Sequence, residues 1–161
     1  MGRPIRALIL DVDGVLTDGG MYYGPKGETL KKFNVKDGMG IRLVREAGIA
    51  VALVTGERSE AVLRRAEKLK IRDVFLGVED KGRVVRKFLA ARGIRPEEAA
   101  YVGDDVNDLP ALRLVGLAFA VADAVPSVRK AVDRITTRRG GEGAVREVCD
   151  FLLKSRAPAD R

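Results

Sequence analysis

The residue types that could do chemistry in this chain are few, and they sit in short clusters. Asp11 and Asp13 stand in the run DVDG, Thr55 in VTGE, and Asp104, Asp105 and Asp108 in GDDVND, while Lys81 opens a helical stretch. The 161 residues include no histidine and a single cysteine. Histidine triads, histidine general bases and histidine metal ligands are therefore excluded. A metal here must be held by oxygen, which suits a hard cation such as Mg²⁺. A general acid or base must be Asp, Glu, Lys, Tyr or Cys. Cys149 lies in an apolar helical pattern with Val148, Phe151 and Leu152, and reads as a small buried hydrophobe.

The elements that must position these residues alternate. Ile5–Leu10, Ala50–Val54, Val74–Leu76, Ala100–Val102 and Leu117–Val121 are short apolar runs, as expected of strands covered on both faces. Helical patterns lie between and after them, over Gly40–Ala47, Ser59–Leu69, Lys81–Arg92, Asp108–Val115 and Gly143–Leu153. Ser59 occupies an N-cap position, and Gly48 and Gly93 close their helices. Such alternation predicts an α/β fold with a doubly wound, mostly parallel sheet of Rossmann-like type. Residues 18–34 break the pattern. Their glycines and the Gly-Pro-Lys-Gly turn between Met21–Tyr23 and Thr29–Phe33 predict a projecting β-hairpin. We expect one domain over residues 1–161, with a frayed charged tail over 154–161.

Ligands of open α/β sheets bind beyond the carboxyl ends of the strands. Asp11 and Asp13 follow the first strand, Thr55 the second, and Asp104 the fourth, while Lys81 opens the helix after the third. Carboxylates, a hydroxyl and an ammonium thus meet at one edge. That set suffices for Mg²⁺-assisted phosphoryl transfer through an aspartyl-phosphate. Two other motif readings fail. Gly14 and Val15 stand where a calcium-binding EF-hand loop needs other residues, and Gly140-Gly141-Glu142-Gly143 has neither a following G-K-[ST] nor a G-x-G-x-x-G pattern.

Together, DVDGVLTDG, VTGE, Lys81 and GDDVND resemble the four motifs of the haloacid dehalogenase superfamily of phosphatases, in order. The hairpin run YYGPKGE, then FNVKDGMGI, then RRGGEGAVREVCD further resemble the 3-deoxy-D-manno-octulosonate 8-phosphate (KDO 8-phosphate) phosphatases, from Ile5 to about Leu153. The resemblance implies that Asp11 is the nucleophile and Asp13 the acid, then the base. It also implies that Asp11, the Asp13 carbonyl and Asp104 hold Mg²⁺, with Asp105 and Asp108 hydrogen-bonded around them. Thr55 would donate to a phosphoryl oxygen, and Lys81 would neutralise charge and orient Asp11. No cap domain fits between these motifs, so the resemblance implies a capless enzyme whose hairpin and neighbouring subunit cover the site in a homotetramer.

The implied substrate is a phosphorylated acidic sugar, whose carboxylate needs a cation. Gly56, Glu57, Arg64 and Lys68 around the second motif, and Arg139 and Arg146 in the C-terminal one, are the candidates for reading it. Glu57 stands where the octulosonate branch usually has Arg. Glu57 with Lys68 eleven residues on resembles the branch acting on nine-carbon acids, the ketodeoxynonulosonate (KDN) and sialic acid 9-phosphates. The eight- and nine-carbon substrates both stay open here.

Lys and Arg number 30 against 23 Asp and Glu, a formal charge of +7 that favours anionic partners. The cations are scattered over helices without interleaved aromatics, so a small anion fits better than a nucleic acid. A non-catalytic partner of a sugar-acid synthase or cytidylyltransferase is the other alternative, but it would be expected to have lost Asp11 or Asp13. No apolar run is long enough to span a membrane, and the N-terminal run is too short for a signal peptide. A cytoplasmic location is the expectation.

Overall fold

A computed structural model describes residues 4–156. Six strands form one sheet in the order β5-β4-β1-β6-β7-β8, and every pair is parallel. The strands are β1 (Ala7–Leu10), β4 (Ala50–Val54), β5 (Asp73–Phe75), β6 (Ala99–Gly103), β7 (Leu117–Ala120) and β8 (Arg134–Ile135). All four residues of β1 are buried, because side chains alternate between faces that are both covered. The chain leaves β1 toward β4 on one side and β6 on the other. The carboxyl end of β1 is therefore the point where the strand order reverses, the usual ligand crevice of such sheets.

The helices are α1 (Val35–Glu46), α2 (Glu60–Lys68), α3 (Lys81–Ala91), α4 (Leu109–Leu112), α5 (Pro126–Arg129) and α6 (Ala144–Arg156). Helix α1 packs on α6, and α3 on α4. The expected glycine stops hold: Gly48 and Gly93 follow their helix ends with φ of +82° and +61°. Leu8, Ile41, Val85, Leu89, Val148 and Leu152 share one continuous apolar core, and Cys149 is fully buried within it.

The hairpin is present as β2 (Tyr22–Gly24) and β3 (Gly27–Leu30), an antiparallel pair separate from the main sheet. Its turn is Pro25-Lys26, followed by Gly27 at φ +102°. Met21, Tyr22, Tyr23 and Leu30 on it are exposed. Among the described residues no cap is inserted: the hairpin and α1 fill the chain between β1 and β4, and core elements fill that between β4 and β6.

Several boundaries differ from those expected. Helix α1 starts at Val35 rather than Gly40, because the Asn34 side chain accepts from the Lys36 amide and caps an extra turn. The fourth expected helix shrinks to α4 after a 3₁₀ turn over Val106–Asp108. Strand β8 and helix α5 were not expected from the pattern. Lys154–Arg156 of the expected frayed tail continue α6, where the Arg156 guanidinium donates to the Ala47 carbonyl; residues 157–161 lie outside the described residues.

Candidate active site

The carboxyl ends of β1 and β6 deliver the acidic residues, and the start of α3 delivers the cation. Lys81 is the first residue of α3, fixed there because the Asp80 side chain accepts from the Arg83 amide. Its ammonium lies 2.8 Å from Asp11 Oδ1 and 2.8 Å from Asp108 Oδ1, with only 1% of its side chain exposed. Asp108 is saturated. Its Oδ1 also accepts from the Tyr101 hydroxyl at 2.7 Å, and its Oδ2 accepts from the Asp104 and Asp105 amides at 2.9 and 3.3 Å. Asp11 Oδ1 takes a second bond from the Val12 amide at 2.8 Å.

Carboxylate oxygens of Asp11, Asp104 and Asp108 lie within 4.8 Å of one another. Three carboxylates therefore crowd together in a mostly dry setting, and two of them, Asp11 and Asp108, share one ammonium. Burial, followed by repulsion from Asp108, raises the Asp11 carboxyl well above its ordinary range despite Lys81. Burial first, helped by Asp108 and Asp105, pushes Asp104 up to about 6. Burial would lower the Lys81 ammonium, yet Asp11 and Asp108 outweigh it and leave it raised. Such excess negative charge on oxygen donors is what a hard divalent cation neutralises. Asp108 has its oxygens committed to Lys81, Tyr101 and backbone amides, so Asp11 and Asp104 are the carboxylates left to face an ion.

Backbone close approach sets the cluster. A Cβ on Gly14 would meet Asp104 Oδ2 at 1.9 Å, and Gly14 sits at φ +82°, so glycine is required there on both counts. A Cβ on Gly140 would lie 1.8 Å from the Gly14 carbonyl oxygen, and the Gly141 amide donates to the Val15 carbonyl at 3.0 Å. The C-terminal glycines thus buttress the loop that follows β1.

Thr55 is buried at the end of β4, its Oγ1 accepting from the Glu57 amide at 3.2 Å. Asp13 accepts from Lys31 at 2.6 Å. Gly56 and Glu57 are exposed beside Thr55 at the same edge, and exposed Arg139 faces Asp123, in the loop following β7. The remaining sugar-reading candidates do not gather there within one subunit. Arg64 lies on the outer face of α2 between Glu60 and Glu67. Lys68 ends α2, which runs back about 13 Å from the carboxyl edge, and lines a separate cavity with Arg42 and Arg65. Arg146 lies in the first turn of α6 with its guanidinium on Asp150, while its amide donates to the buried Asp37 carboxylate.

Sequence reasoning missed Tyr101, Lys31 and Glu28. Tyr101 reads as a core strand residue, and only its hydroxyl could have signalled a polar partner. Ser59 differs from its expected role: it sits at the N-cap of α2, but its hydroxyl makes no cap bond and donates instead to Glu28 Oε1 at 2.9 Å. Asp105 caps its own 3₁₀ turn through the Val106 amide and is exposed.

Residues 77–148 match the family of haloacid dehalogenase-like hydrolases. The chain is 47% identical over 156 residues to the 3-deoxy-D-manno-octulosonate 8-phosphate phosphatase KdsC of Escherichia coli K12, covering 97% of this chain and 83% of that protein. The cobalt-bound KDO 8-phosphate phosphatase of Haemophilus influenzae superposes with a TM-score of 0.93 at 43% identity, covering 94% of this chain and 89% of that one. The Moraxella catarrhalis enzyme, in complex with magnesium, phosphate and KDO, superposes with a TM-score of 0.91 at 41% identity, over 94% and 87% of the two chains. With this identity along nearly its whole length, and with the acidic cluster at the switch point of its sheet, the chain belongs to the 3-deoxy-D-manno-octulosonate 8-phosphate phosphatase family of haloacid dehalogenase-like hydrolases.

Proposed function

We propose that this protein is a Mg²⁺-dependent phosphomonoesterase that removes the terminal phosphate of a 3-deoxy-2-ulosonate sugar acid, with KDO 8-phosphate as its substrate. The observation that carries this reading is the buried Asp11–Lys81–Asp108 array with Asp104 beside it, in a chain 47% identical to named KDO 8-phosphate phosphatases. The donor set fits the metal: Asp11 and Asp104 carboxylates, with the Asp13 carbonyl, would hold it. Bound there, Mg²⁺ supplies the positive charge that lets an anionic carboxylate approach an anionic phosphate.

The protein's own residues do the rest. Asp11 attacks phosphorus as the bond from phosphorus to the sugar oxygen breaks, and the Asp13 carboxyl gives that oxygen its proton. Water then attacks the aspartyl-phosphate while the Asp13 carboxylate takes a proton from it, releasing phosphate and restoring Asp11. Lys81 holds the attacking carboxylate in place, and the Thr55 hydroxyl donates to a phosphoryl oxygen. We also read the chain as one cytoplasmic catalytic domain that works as a homotetramer, with the exposed Met21, Tyr22 and Tyr23 of the hairpin buried between subunits.

One observation favours a nine-carbon substrate instead. Glu57 projects beside Thr55 at the open edge, where a carboxylate can accept hydrogen bonds from the extra hydroxyls of KDN or sialic acid 9-phosphate. Lys68, at the far end of α2, does not join it within one subunit. Phosphate release across KDO 8-phosphate, KDN 9-phosphate, sialic acid 9-phosphate, glucose 6-phosphate and AMP decides among these. The expected result is turnover of the ulosonate phosphates alone, lost in EDTA, restored by Mg²⁺ and abolished in Asp11→Asn. Equal turnover of glucose 6-phosphate, or an Asp11→Asn variant within about tenfold of wild type, only about 1.4 kcal/mol of barrier, overturns the reading. Preference for a nine-carbon substrate that shifts to KDO 8-phosphate in Glu57→Arg selects the second reading.

A further inference from the structure

Lys31 belongs to none of the motifs above, yet its side chain is fully buried at the mouth of the site. It follows β3, and its ammonium lies 2.6 Å from Asp13 Oδ1 and 2.8 Å from Glu28 Oε2. The other oxygen of Glu28 accepts from Ser59 at the start of α2. One continuous chain of hydrogen bonds thus joins the loop after β1, the hairpin and α2. Ordinary surface pairs of this protein, such as Arg42 with Glu46, leave more than half of both side chains in water and contribute little. The Lys31 pairs are drier: Asp13 keeps 23% of its side-chain surface and Glu28 keeps 18%.

Among the described residues, Lys31 is the sole hydrogen-bond partner of the Asp13 carboxylate. An aspartate in an open site has several staggered rotamers available, and no other hydrogen bond among the described residues selects one. We propose that Lys31 is a positioning residue for Asp13: anchored by Glu28 and Ser59, it fixes the rotamer from which Asp13 serves the departing sugar oxygen, and so couples the hairpin to the chemical step. This rests on the assignment of Asp13 as acid and base made above. Misplacing a catalytic group by about an ångström costs on the order of a hundredfold in rate. The hairpin then orders the catalytic acid.

The test compares kcat/KM on two substrates, because that parameter reports the steps through departure of the leaving group. The sugar alkoxide of KDO 8-phosphate needs a proton to leave; the nitrophenolate of p-nitrophenyl phosphate does not. Lys31→Met should lose roughly ten- to hundredfold on the first and less than about threefold on the second. Lys31→Arg, which can still bridge both carboxylates, should recover most of the loss. Glu28→Gln, which loosens the anchor without touching Asp13, should show a smaller loss with the same selectivity. It also serves if Lys31→Met does not fold. Equal losses on both substrates, or no loss, overturn the positioning role. If Asp13→Asn is harmful and selective while Lys31→Met and Glu28→Gln are harmless, the acid assignment stands and the proposal falls. An Asp13→Asn variant that matches wild type on both substrates removes the acid assignment, and the role of Lys31 with it.

Discussion

Replacing Lys81 by Met keeps most of the side chain's volume and deletes the ammonium that Asp11 and Asp108 share at 2.8 Å. Three carboxylates, two of them at most 6% exposed, then face one another without that counter-charge. Removing one partner from a buried ion pair costs about 3–5 kcal/mol. The protein can limit that cost by holding protons. Asp104 already titrates near pH 6, so keeping it neutral at pH 7 costs only about 1.4 kcal/mol. The sign of the pH dependence follows. A carboxyl whose folded pKa lies above its unfolded value of 3.8 withdraws stability as pH rises from about 4 through the folded pKa, and Asp11 and Asp104 are both raised. Without Lys81 to oppose the burial of Asp11, that withdrawal deepens. The defect of Lys81→Met should therefore grow from pH 5 to pH 8, reaching about 3–5 kcal/mol. For a chain of this size that is roughly 6–20 °C in Tm. Thermal melts by circular dichroism in EDTA at pH 5, 6, 7 and 8 measure it. A defect of the same size at pH 5 and pH 8, or one below about 1 kcal/mol at pH 8, refutes the charge-sharing account of the cluster.

Three further outcomes are expected. If Asp104 holds Mg²⁺ as proposed, the ion must displace a proton from it at low pH, so its affinity, measured by calorimetry in two buffers of different ionisation enthalpy, should fall at least about tenfold from pH 7 to pH 5; a pH-independent affinity contradicts this. Gly140→Ala drives a Cβ to 1.8 Å from a backbone oxygen and so must shift the Gly14 loop, lowering stability by about 2 kcal/mol or more and weakening Mg²⁺ binding in the same titration. Cys149 is fully buried, and burial pushes its thiol well up, so the native protein should react with an aromatic disulfide reagent at least about a hundredfold more slowly than the protein unfolded in guanidinium.

Much of this architecture was legible because it is written in local pattern. The strands β1, β4, β6 and β7 are runs of apolar residues buried on both faces, and their polar successors Asp11, Thr55 and Asp104 land at one edge because parallel strands share a direction. What escaped is written in tertiary contact. Strand β8 is two exposed residues at the sheet edge, and α5 is one turn begun by Pro126, so neither carries an apolar period. Gly38 and Gly40 argue against a helix, at about 1 kcal/mol each relative to alanine. Yet a Cβ on Gly38 would strike the Arg65 guanidinium at 2.6 Å, and one on Gly40 would press on Cys149 Cβ at 3.1 Å. The glycines cost helix propensity and let α1 approach its neighbours closely. Lys31 and Asp13 are likewise 18 residues apart, and no spacing rule joins them.

The run RRGGEG shows how the same residues carry a second meaning. Read as a basic motif, it offers Arg139, with Arg146 just beyond it, to a sugar carboxylate. In three dimensions Arg146 is engaged by Asp150, and Arg139 lies near Asp123, whose carboxylate also accepts from the Gly140 amide. The glycines between them do the structural work: Gly140 lies against the Gly14 carbonyl, and Gly141, at φ +71°, lies against the Asp18 amide. Gly14 in turn leaves just enough room for the Asp104 carboxylate. The loop after β1 and the segment before α6 are thus wedged together backbone to backbone, and backbone hydrogen bonds from Val125 to Asp104 and from Ala122 to Arg138 tie in the loops after β6 and β7. Backbone wedges have no rotamers to relax, so they can hold three mutually repelling carboxylates within 4.8 Å of one another before any cation arrives. The acidic cluster is preorganised by glycines that carry no charge, and for that reason substitutions in the C-terminal run should disturb the metal binding proposed for Asp11 and Asp104.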